Sequence, residues 1–246
     1  MSHRIVVATY NVHRCIGSDR RHEPGRVASV LSEIGADIVG LQEVSTREGD
    51  AGDIDQLATL AETTGMHSMA GPTLVSTRGH CGNALLSRWP ILAARKIDLS
   101  VTRREPRGAI DADLEVEGRA LRVVVTHLGL RPGERLQQVE RLLAALGSSD
   151  GPTIILADAN EWRPLVALRR RLRHFGYRSL PTFPAGLPIL ALDLVLVQPA
   201  AALREVSVHR SPTARRASDH LPVRAVLDLD ATERSEPRRP RKALRR

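Results

Sequence analysis

Polar side chains able to bind a metal ion or a phosphate group lie at the ends of several apolar runs of this sequence. Each run has the length and composition of a buried strand. A charged side chain at the edge of a buried strand costs free energy unless it is paired or binds a ligand. Because several strands end in such residues, the pattern indicates one shared site. Because the strand ends of a sandwich meet along an edge, we expect these residues to converge: Asn11, Glu43, His127, Asp158, Asn160, Asp193, Asp219 and His220.

The chemistry that such a set supports is specific. Carboxylates and an amide oxygen are hard ligands that suit Mg²⁺ or Mn²⁺, and the histidines lack the i, i+4 spacing typical of zinc. An aspartate not used for the metal can orient and deprotonate a water molecule. An imidazole held by a second carboxylate can donate to a phosphate oxygen. Together these groups predict metal-assisted hydrolysis of a phosphoester.

The elements that must position these residues are mostly strands. Helices are predicted from Pro24, after Asp53 as N-cap, from Pro132, and over Trp162–Leu172 with a basic outer face. Strands outnumber helices and hairpins join some of them, which favours an α/β or α+β sandwich with mixed sheets. The predicted strands are 5–10, 38–44, 83–87, 91–99, 109–116, 121–127, 153–157, 190–197, 203–208 and 221–229.

Length and composition limit the possible classes of protein. The chain has 246 residues, of which 42% are hydrophobic, enough for one large domain. No apolar run reaches the roughly 18–20 residues of a membrane span, and the start of the chain lacks the apolar segment of a secretory signal. Cys15 and Cys81 fit neither a disulfide framework nor a zinc spacing. We therefore expect a cytoplasmic protein.

The net charge of +8 is concentrated near the end of the chain. Residues 231–246 hold seven basic and two acidic side chains. This pattern predicts one domain over residues 1–230 and a basic, disordered tail over residues 231–246. The tail either contacts anionic lipid or nucleic acid or only keeps the chain in solution. No obligate protein partner is expected.

The ordered set of motifs resembles the endonuclease/exonuclease/phosphatase superfamily over residues 4–229. The resemblance implies an α/β fold, a four-layered sandwich of two packed mixed β-sheets flanked by helices, with the active site at one edge. It is carried by Asn11, by Gln42-Glu43, by the stretch Gly82–Arg88, by Thr126-His127-Leu128, by Asp158-Ala159-Asn160, by Asp193 and by Asp219-His220.

The resemblance also implies which residues hold the metal and the substrate. Glu43 would be the principal ligand of Mg²⁺ or Mn²⁺, with Asn11 assisting. Asp219 would lie beside the metal, directly or through water. Arg107 is a looser match for a group that reaches the substrate phosphate. Asn83 either contacts substrate or caps a turn.

The remaining roles concern the reaction itself. By the resemblance, Asp158 would position and activate the attacking water, and Asn160 would hold that water or a phosphate oxygen. His220 would donate a hydrogen bond to the scissile phosphate, oriented by Asp193. His127 matches a histidine that contacts phosphate in the deoxyribonuclease and sphingomyelinase branches.

Three functions remain open at this point. The first is a metal-dependent phosphodiesterase acting on DNA or RNA. The second is the same chemistry on a small phosphoester or a phospholipid head group. The scarcity of aromatic residues, six in the whole chain, favours it mildly, because proteins that bind single strands stack bases on aromatic rings. The basic tail also favours it mildly. The third is a non-catalytic basic binding module on the same fold.

Overall fold

A computed structural model describes residues 3–47, 54–77, 79–147, 151–162 and 170–233 of the chain. The helices are α1 (Pro24–Ile34), α2 (Gln56–Thr64), α3 (Pro132–Leu146), α4 (Pro212–Ala217) and α5 (Asp230–Glu233), with a 3₁₀ turn at His13–Cys15. The strands are β1 (Arg4–Asn11), β2 (Ile38–Arg47), β3 (Ile54–Asp55), β4 (His67–Ser76), β5 (Gly79–Ser87), β6 (Ile91–Asp98), β7 (Gly108–Val116), β8 (Arg119–His127), β9 (Thr153–Asp158), β10 (Asp193–Gln198), β11 (Leu203–Val208) and β12 (Val223–Asp228).

These strands form two mixed sheets. The first has the order β11-β12-β1-β2-β5-β4, with the short β3 paired to the end of β2. The second has the order β10-β9-β8-β7-β6. In the first sheet β1 is parallel to β2, and in the second β8 is parallel to β9, so each parallel pair brings two carboxyl ends to the same edge.

The two sheets pack face to face through a core of aliphatic side chains. Val7, Ile38 and Leu85 of the first sheet meet Ile110 and Val125 of the second in one buried cluster. A glycine of the first sheet lies directly against the second sheet. A Cβ added to Gly40 would lie 2.6 Å from the Cβ of Leu156, so a side chain there would push the layers apart.

Helices cover the outer faces of both sheets and complete the four layers. The predicted apolar stripe of α1, which includes Val27, Val30, Leu31 and Ile34, is buried against the first sheet. Helix α3 packs Val139, Leu142 and Leu146 against the second sheet. The predicted sandwich of two mixed sheets between helices is confirmed.

Some local predictions need correction or lie outside the described residues. Asp53 lies outside them, and the N-cap of α2 is Asp55, whose carboxylate accepts from the N–H of Ala58 at 3.0 Å. Most of the predicted basic helix Trp162–Leu172 and of the tail 231–246 also lies outside them. Among the described helices, none has the length and apolar composition needed to cross a bilayer.

An ion-pair cluster on the second sheet, distant from the polar strand ends, contributes to the stability of the fold. Buried Asp111 accepts from Arg122 at 2.7 and 2.6 Å and from Arg95 at 2.7 Å. Burial alone would raise the pKa of Asp111, but the two guanidinium groups outweigh burial and lower it. A carboxyl group whose pKa is lower in the folded state than in the unfolded state stabilises the fold at pH values above its unfolded-state pKa. This contribution is lost as the pH falls through the folded-state pKa.

We expect Asp111→Asn to lower the free energy of unfolding by about 2–3 kcal/mol at neutral pH, because it leaves partly buried Arg122 without its counter-charge. Glu115→Gln, at an exposed position of the same strand, is the matched control and should change stability little. Denaturant unfolding of both variants at neutral and acid pH measures the difference. If Asp111→Asn is less stable than the wild-type chain by the same amount at every pH, the charge of Asp111 is not what stabilises the fold.

Candidate active site

The polar strand ends of both sheets converge on one cleft of about 230 Å³. The register explains the convergence in the second sheet. Asp158 at the end of β9 lies opposite His127 at the end of β8 and opposite Asp193 at the start of β10. Since neighbouring strands are about 4.8 Å apart, these three side chains are brought side by side by backbone pairing alone.

The first sheet contributes Asn11 and Glu43. Asn11 ends β1, and its Nδ2 donates both to Glu43 Oε1 at 3.1 Å and to Asp158 Oδ2 at 2.9 Å. Glu43 has a φ of 58°, and the pairing of β2 with β5 shifts register around it, which is the signature of a bulge. Bulges redirect side chains, and here the bulged residue lines the cleft.

A buried aspartate–histidine pair forms one wall of the site. His220 Nδ1 lies 2.9 Å from Asp193 Oδ2, which also accepts from the hydroxyl of Thr182 at 2.6 Å. Burial alone would lower the pKa of His220, but Asp193, together with Asp158 and other nearby carboxylates, outweighs burial and raises it to about 10. His220 is therefore a cation at neutral pH, able to donate from Nε2 to an anionic oxygen.

Asp158 occupies the centre of the cluster. Its Oδ2 lies 3.4 Å from His127 Nε2 and 3.8 Å from His220 Nε2, and its Oδ1 accepts from the backbone N–H of Asn160 at 3.0 Å. Burial raises the pKa of this carboxyl above its ordinary value, which makes Asp158 a better proton acceptor than an exposed aspartate.

His127 and Asn160 are linked in a way that fixes the proton on the imidazole. Burial lowers the pKa of His127 to about 4, so the ring is neutral at pH 7. Asn160 Nδ2 lies 2.9 Å from His127 Nε2 and donates to the carbonyl oxygen of Leu128 at 2.9 Å. A neutral ring that accepts at Nε2 carries its hydrogen on Nδ1.

Sequence comparison identifies the family to which this arrangement belongs. The sequence model of the Endonuclease/Exonuclease/phosphatase family matches residues 8–220. The chain belongs to the endonuclease/exonuclease/phosphatase family. Members of this family are phosphoester hydrolases, and they typically use divalent metal ions.

Individual relatives agree with this assignment. The uncharacterized protein YbhP of Escherichia coli (strain K12) is 31% identical over 243 residues, which cover 91% of this chain and 96% of YbhP. An endonuclease/exonuclease/phosphatase from Beutenbergia cavernae DSM 12333 has a TM-score of 0.77 at 22% identity, covering 92% of this chain and 72% of that one. The mannosyl-6-phosphatase Bt3783 of Bacteroides thetaiotaomicron VPI-5482 has a TM-score of 0.69 at 17% identity, covering 90% of this chain and 98% of that one.

Most of the residues expected from the family resemblance line the cleft, although their roles stay predictions. Asp193 reaches the cleft through His220. Asp219 is not among the lining residues; its half-exposed carboxylate lies 3.8 Å from His13 Nδ1. The predicted site residues that line the cleft are Asn11, Glu43, Asn83, Arg107, His127, Asp158, Asn160 and His220.

Asn83 and Arg107, two further residues predicted to contact the substrate, are held by neighbours at the cleft wall. Asn83 Nδ2 donates to the carbonyl oxygen of Gly108 at 2.9 Å, a contact typical of a structural amide. Arg107 Nη1 lies 3.2 Å from Glu105 Oε1. The buried Nε of Arg107 has no hydrogen-bond partner among the described residues.

Sequence reasoning did not select two residues that belong to the site. Arg14 lines the cleft from the 3₁₀ turn after β1, where its φ is 53°. A basic residue three positions after the strand-end Asn11 was the available signal. Thr182 holds Asp193 from a loop, and no pattern in the sequence marks it.

The side chains of the cleft fit a divalent ion better at Glu43 than elsewhere. Ligand atoms of Asp158, Asp193 and His220 lie within 4.8 Å of one another, but Asp193 and His220 are already bonded to each other. Glu43 offers a carboxylate at the cleft wall. Asn11 faces it with Nδ2, and its Oδ1 accepts from the N–H of His13 at 2.9 Å, so Asn11 becomes a ligand only when its amide turns.

Proposed function

We propose that this protein is a divalent-metal-dependent phosphoester hydrolase in which Asp158 activates a water molecule for attack on phosphorus. The observation that carries the proposal is the position of Asp158, buried between residues of both sheets and within 4 Å of Asn11, His127 and His220. The substrate would be a phosphoester of nucleic acid, of a phospholipid or of a small molecule.

The reaction is assigned to the chain's own residues as follows. Asp158 accepts a proton from water, and Asn160 orients that water through its side-chain oxygen, since His127 and Leu128 accept both hydrogens of its Nδ2. His220, a cation held by Asp193, donates to a phosphate oxygen as negative charge develops there. The water oxygen bonds to phosphorus, the bond from phosphorus to the leaving alcohol breaks, and the alcohol oxygen takes a proton from solvent. A Mg²⁺ or Mn²⁺ ion held by Glu43 and Asn11, with Asp219 nearby, would polarise the phosphate.

Incubation of the purified chain with supercoiled plasmid, bis(p-nitrophenyl) phosphate and p-nitrophenyl phosphate tests this proposal. We expect hydrolysis of at least one of them in Mg²⁺, none in EDTA, and a rate about a thousandfold lower with Asp158→Asn. Nicked circles would make the protein a nuclease. Hydrolysis of the chromogenic esters alone would direct the search to lipids and small molecules. Hydrolysis that survives EDTA would contradict the proposal.

Glu43→Gln tests the assignment of the metal ligand. We expect the Mg²⁺ concentration for half-maximal activity to rise at least roughly tenfold, because an amide replaces the charged ligand. Glu115→Gln, the same change at an exposed position outside the cleft, should leave the Mg²⁺ dependence unchanged. An unaltered Mg²⁺ requirement in Glu43→Gln would remove Glu43 from the metal site.

A further inference from the structure

The largest fully buried side chain in the described part of the chain is a cation that has no role in the reaction so far. Arg135 lies near the start of α3 and is 1% exposed. Burying a guanidinium costs free energy unless acceptors meet its donors and its charge is balanced. An apolar side chain of similar size would fill the same space without that cost. The contacts of Arg135 therefore indicate what the cation is for.

Arg135 joins the two loops that follow β8 and β9. Its Nη1 donates to the carbonyl oxygens of Gly129 at 3.3 Å and of Leu130 at 2.7 Å, both in the loop after β8. Its Nη2 donates to Glu161 Oε1 at 2.9 Å, in the loop after β9. The planar fork of a guanidinium holds acceptors in fixed directions, whereas the ammonium of a lysine is a point charge on a flexible stem.

Neighbouring residues of α3 hold the loop after β8 from the same side. Gln138 Oε1 accepts from the backbone N–H of Gly129 at 2.8 Å, and Gln138 Nε2 donates to Glu134 Oε1 at 3.3 Å. Gln138 and Glu134 are both buried. A Cβ added to Gly129 would overlap the carboxylate of Glu134, so only glycine lets the loop lie this close to α3.

The two loops begin at residues of the cleft. His127 comes directly before Leu128 in the first loop, and Asn160 comes directly before Glu161 in the second. Asn160 Nδ2 spans the loops, because it lies 2.9 Å from His127 Nε2 and donates to the carbonyl oxygen of Leu128 at 2.9 Å. Both hydrogens of Nδ2 are then used, which fixes the direction of Oδ1. A shift of about 1 Å between the loops would break this double donation.

We propose that Arg135 is a positioning residue that, together with Glu161, clamps the two loops and so holds Asn160 against His127 and Leu128. In that position Asn160 Oδ1 is directed to accept from the attacking water. The identity of that water rests on the proposed function, whereas the clamp rests on the hydrogen bonds alone. Arg135 is not among the residues that line the cleft, so it acts through Asn160.

A purely stabilising role for Arg135 is the competing explanation. Backbone pairing already joins the loops, since the N–H of Leu128 donates to the carbonyl oxygen of Asp158 at 2.9 Å. Two observations favour positioning. The acceptors of Arg135 lie on the loops that begin at cleft residues. Its buried Nε has no hydrogen-bond partner among the described residues, which is a cost in stability.

Arg135→Lys and Glu161→Gln test the clamp in the full chain. The first variant keeps the cation and loses the fork, and the second keeps the size and loses the charge. The matched controls are on α3 itself. Arg141→Lys changes an exposed arginine, and Glu140→Gln breaks an exposed ion pair. Thermal unfolding shows which variants fold, and Glu161→Gln decides the question if Arg135→Lys does not.

The first measurement does not need turnover. Imidazole ¹⁵N chemical shifts at pH 7 report which nitrogen of His127 carries the hydrogen, and the spectrum of His127→Gln assigns the signals. We expect the hydrogen on Nδ1 in the wild-type chain and in both controls, because Asn160 donates to Nε2. Both clamp variants should show a second tautomer with the hydrogen on Nε2, for which Asp158 Oδ2 at 3.4 Å is the nearby acceptor.

Kinetics test the link through Asn160. We expect Arg135→Lys to lower kcat roughly tenfold and to change KM less than about twofold, since a displaced Asn160 misorients the water without removing a phosphate contact. In an Asn160→Ala background the same change should lower kcat less than about twofold, because the route is already lost. Arg141→Lys should leave kcat unchanged in both backgrounds.

The outcomes separate the clamp from the proposed function. Folded clamp variants that keep the wild-type tautomer of His127 would overturn the clamp. Equal tenfold losses of kcat in the wild-type and Asn160→Ala backgrounds would also overturn it, because Arg135 would then not act through Asn160. If the wild-type chain hydrolyses no phosphoester, the proposed function fails, and the tautomer of His127 still decides whether Arg135 positions Asn160.

Discussion

Asp158→Asn is expected to lower kcat by about three orders of magnitude while leaving the fold intact. The amide that replaces the carboxylate cannot accept a proton from water, but it keeps the size of the buried side chain. It can also still accept the backbone N–H of Asn160, which Asp158 holds at 3.0 Å. Initial rates at saturating Mg²⁺, together with thermal unfolding, separate loss of chemistry from loss of structure.

The matched control for this variant is Asp113→Asn, the same change at an exposed position of β7. It should leave kcat unchanged and, because exposed Asp113 faces Arg122, shift the unfolding temperature only slightly. Retention of most of the activity by Asp158→Asn would remove Asp158 from the role of base. A cooperative unfolding transition lost in Asp158→Asn would mean that the residue is structural, whatever its effect on the rate.

Asp193→Asn is expected to lower kcat by about a hundredfold, because it removes the charge that holds His220 as a cation. Asp193 acts through His220, so the two residues should behave as a unit. His220→Ala should lower kcat by a similar or larger factor. In the His220→Ala background, Asp193→Asn should then add little, a non-additivity that a double-mutant cycle on kcat measures.

If the reductions in kcat caused by Asp193→Asn and His220→Ala multiply in the double variant, Asp193 does not act through His220. Thr182→Val provides the control for packing around the pair. It removes the hydroxyl that donates to Asp193 Oδ2 at 2.6 Å but leaves the Asp193–His220 contact. It should therefore lower kcat less than Asp193→Asn.

The parts of the fold that could be predicted from the sequence are those in which one local pattern decides the structure. Buried strands such as β1 and β9 are apolar runs with no competing interpretation, and α1 has apolar residues at helical spacing between Pro24 and Gly35. Strand β4 was not predicted. It lies at the edge of its sheet and contains Gly71 and Pro72, which weaken the pattern of a strand but are tolerated at an edge.

The candidate site was predictable where residues terminate strands and not where they depend on irregular backbone. His127 and Asp158 come together because parallel strands carry their ends to one edge. Glu43 was expected to end a strand at residue 44, whereas β2 continues to Arg47 and bulges at Glu43. The position of Arg14 depends on a turn in which three consecutive residues have positive φ values. No residue pattern in the sequence predicts that conformation.

The central claim is that this cleft hydrolyses a phosphoester with the help of a divalent ion and Asp158. Its most direct test is the rate of p-nitrophenol release from bis(p-nitrophenyl) phosphate by the wild-type chain and by Asp158→Asn, in Mg²⁺, in EDTA, and in EDTA followed by excess Mg²⁺. We predict release by the wild-type chain that EDTA abolishes and Mg²⁺ restores, and release about a thousandfold slower by Asp158→Asn. Release that is indifferent to EDTA, or equal in the two chains, would contradict the claim.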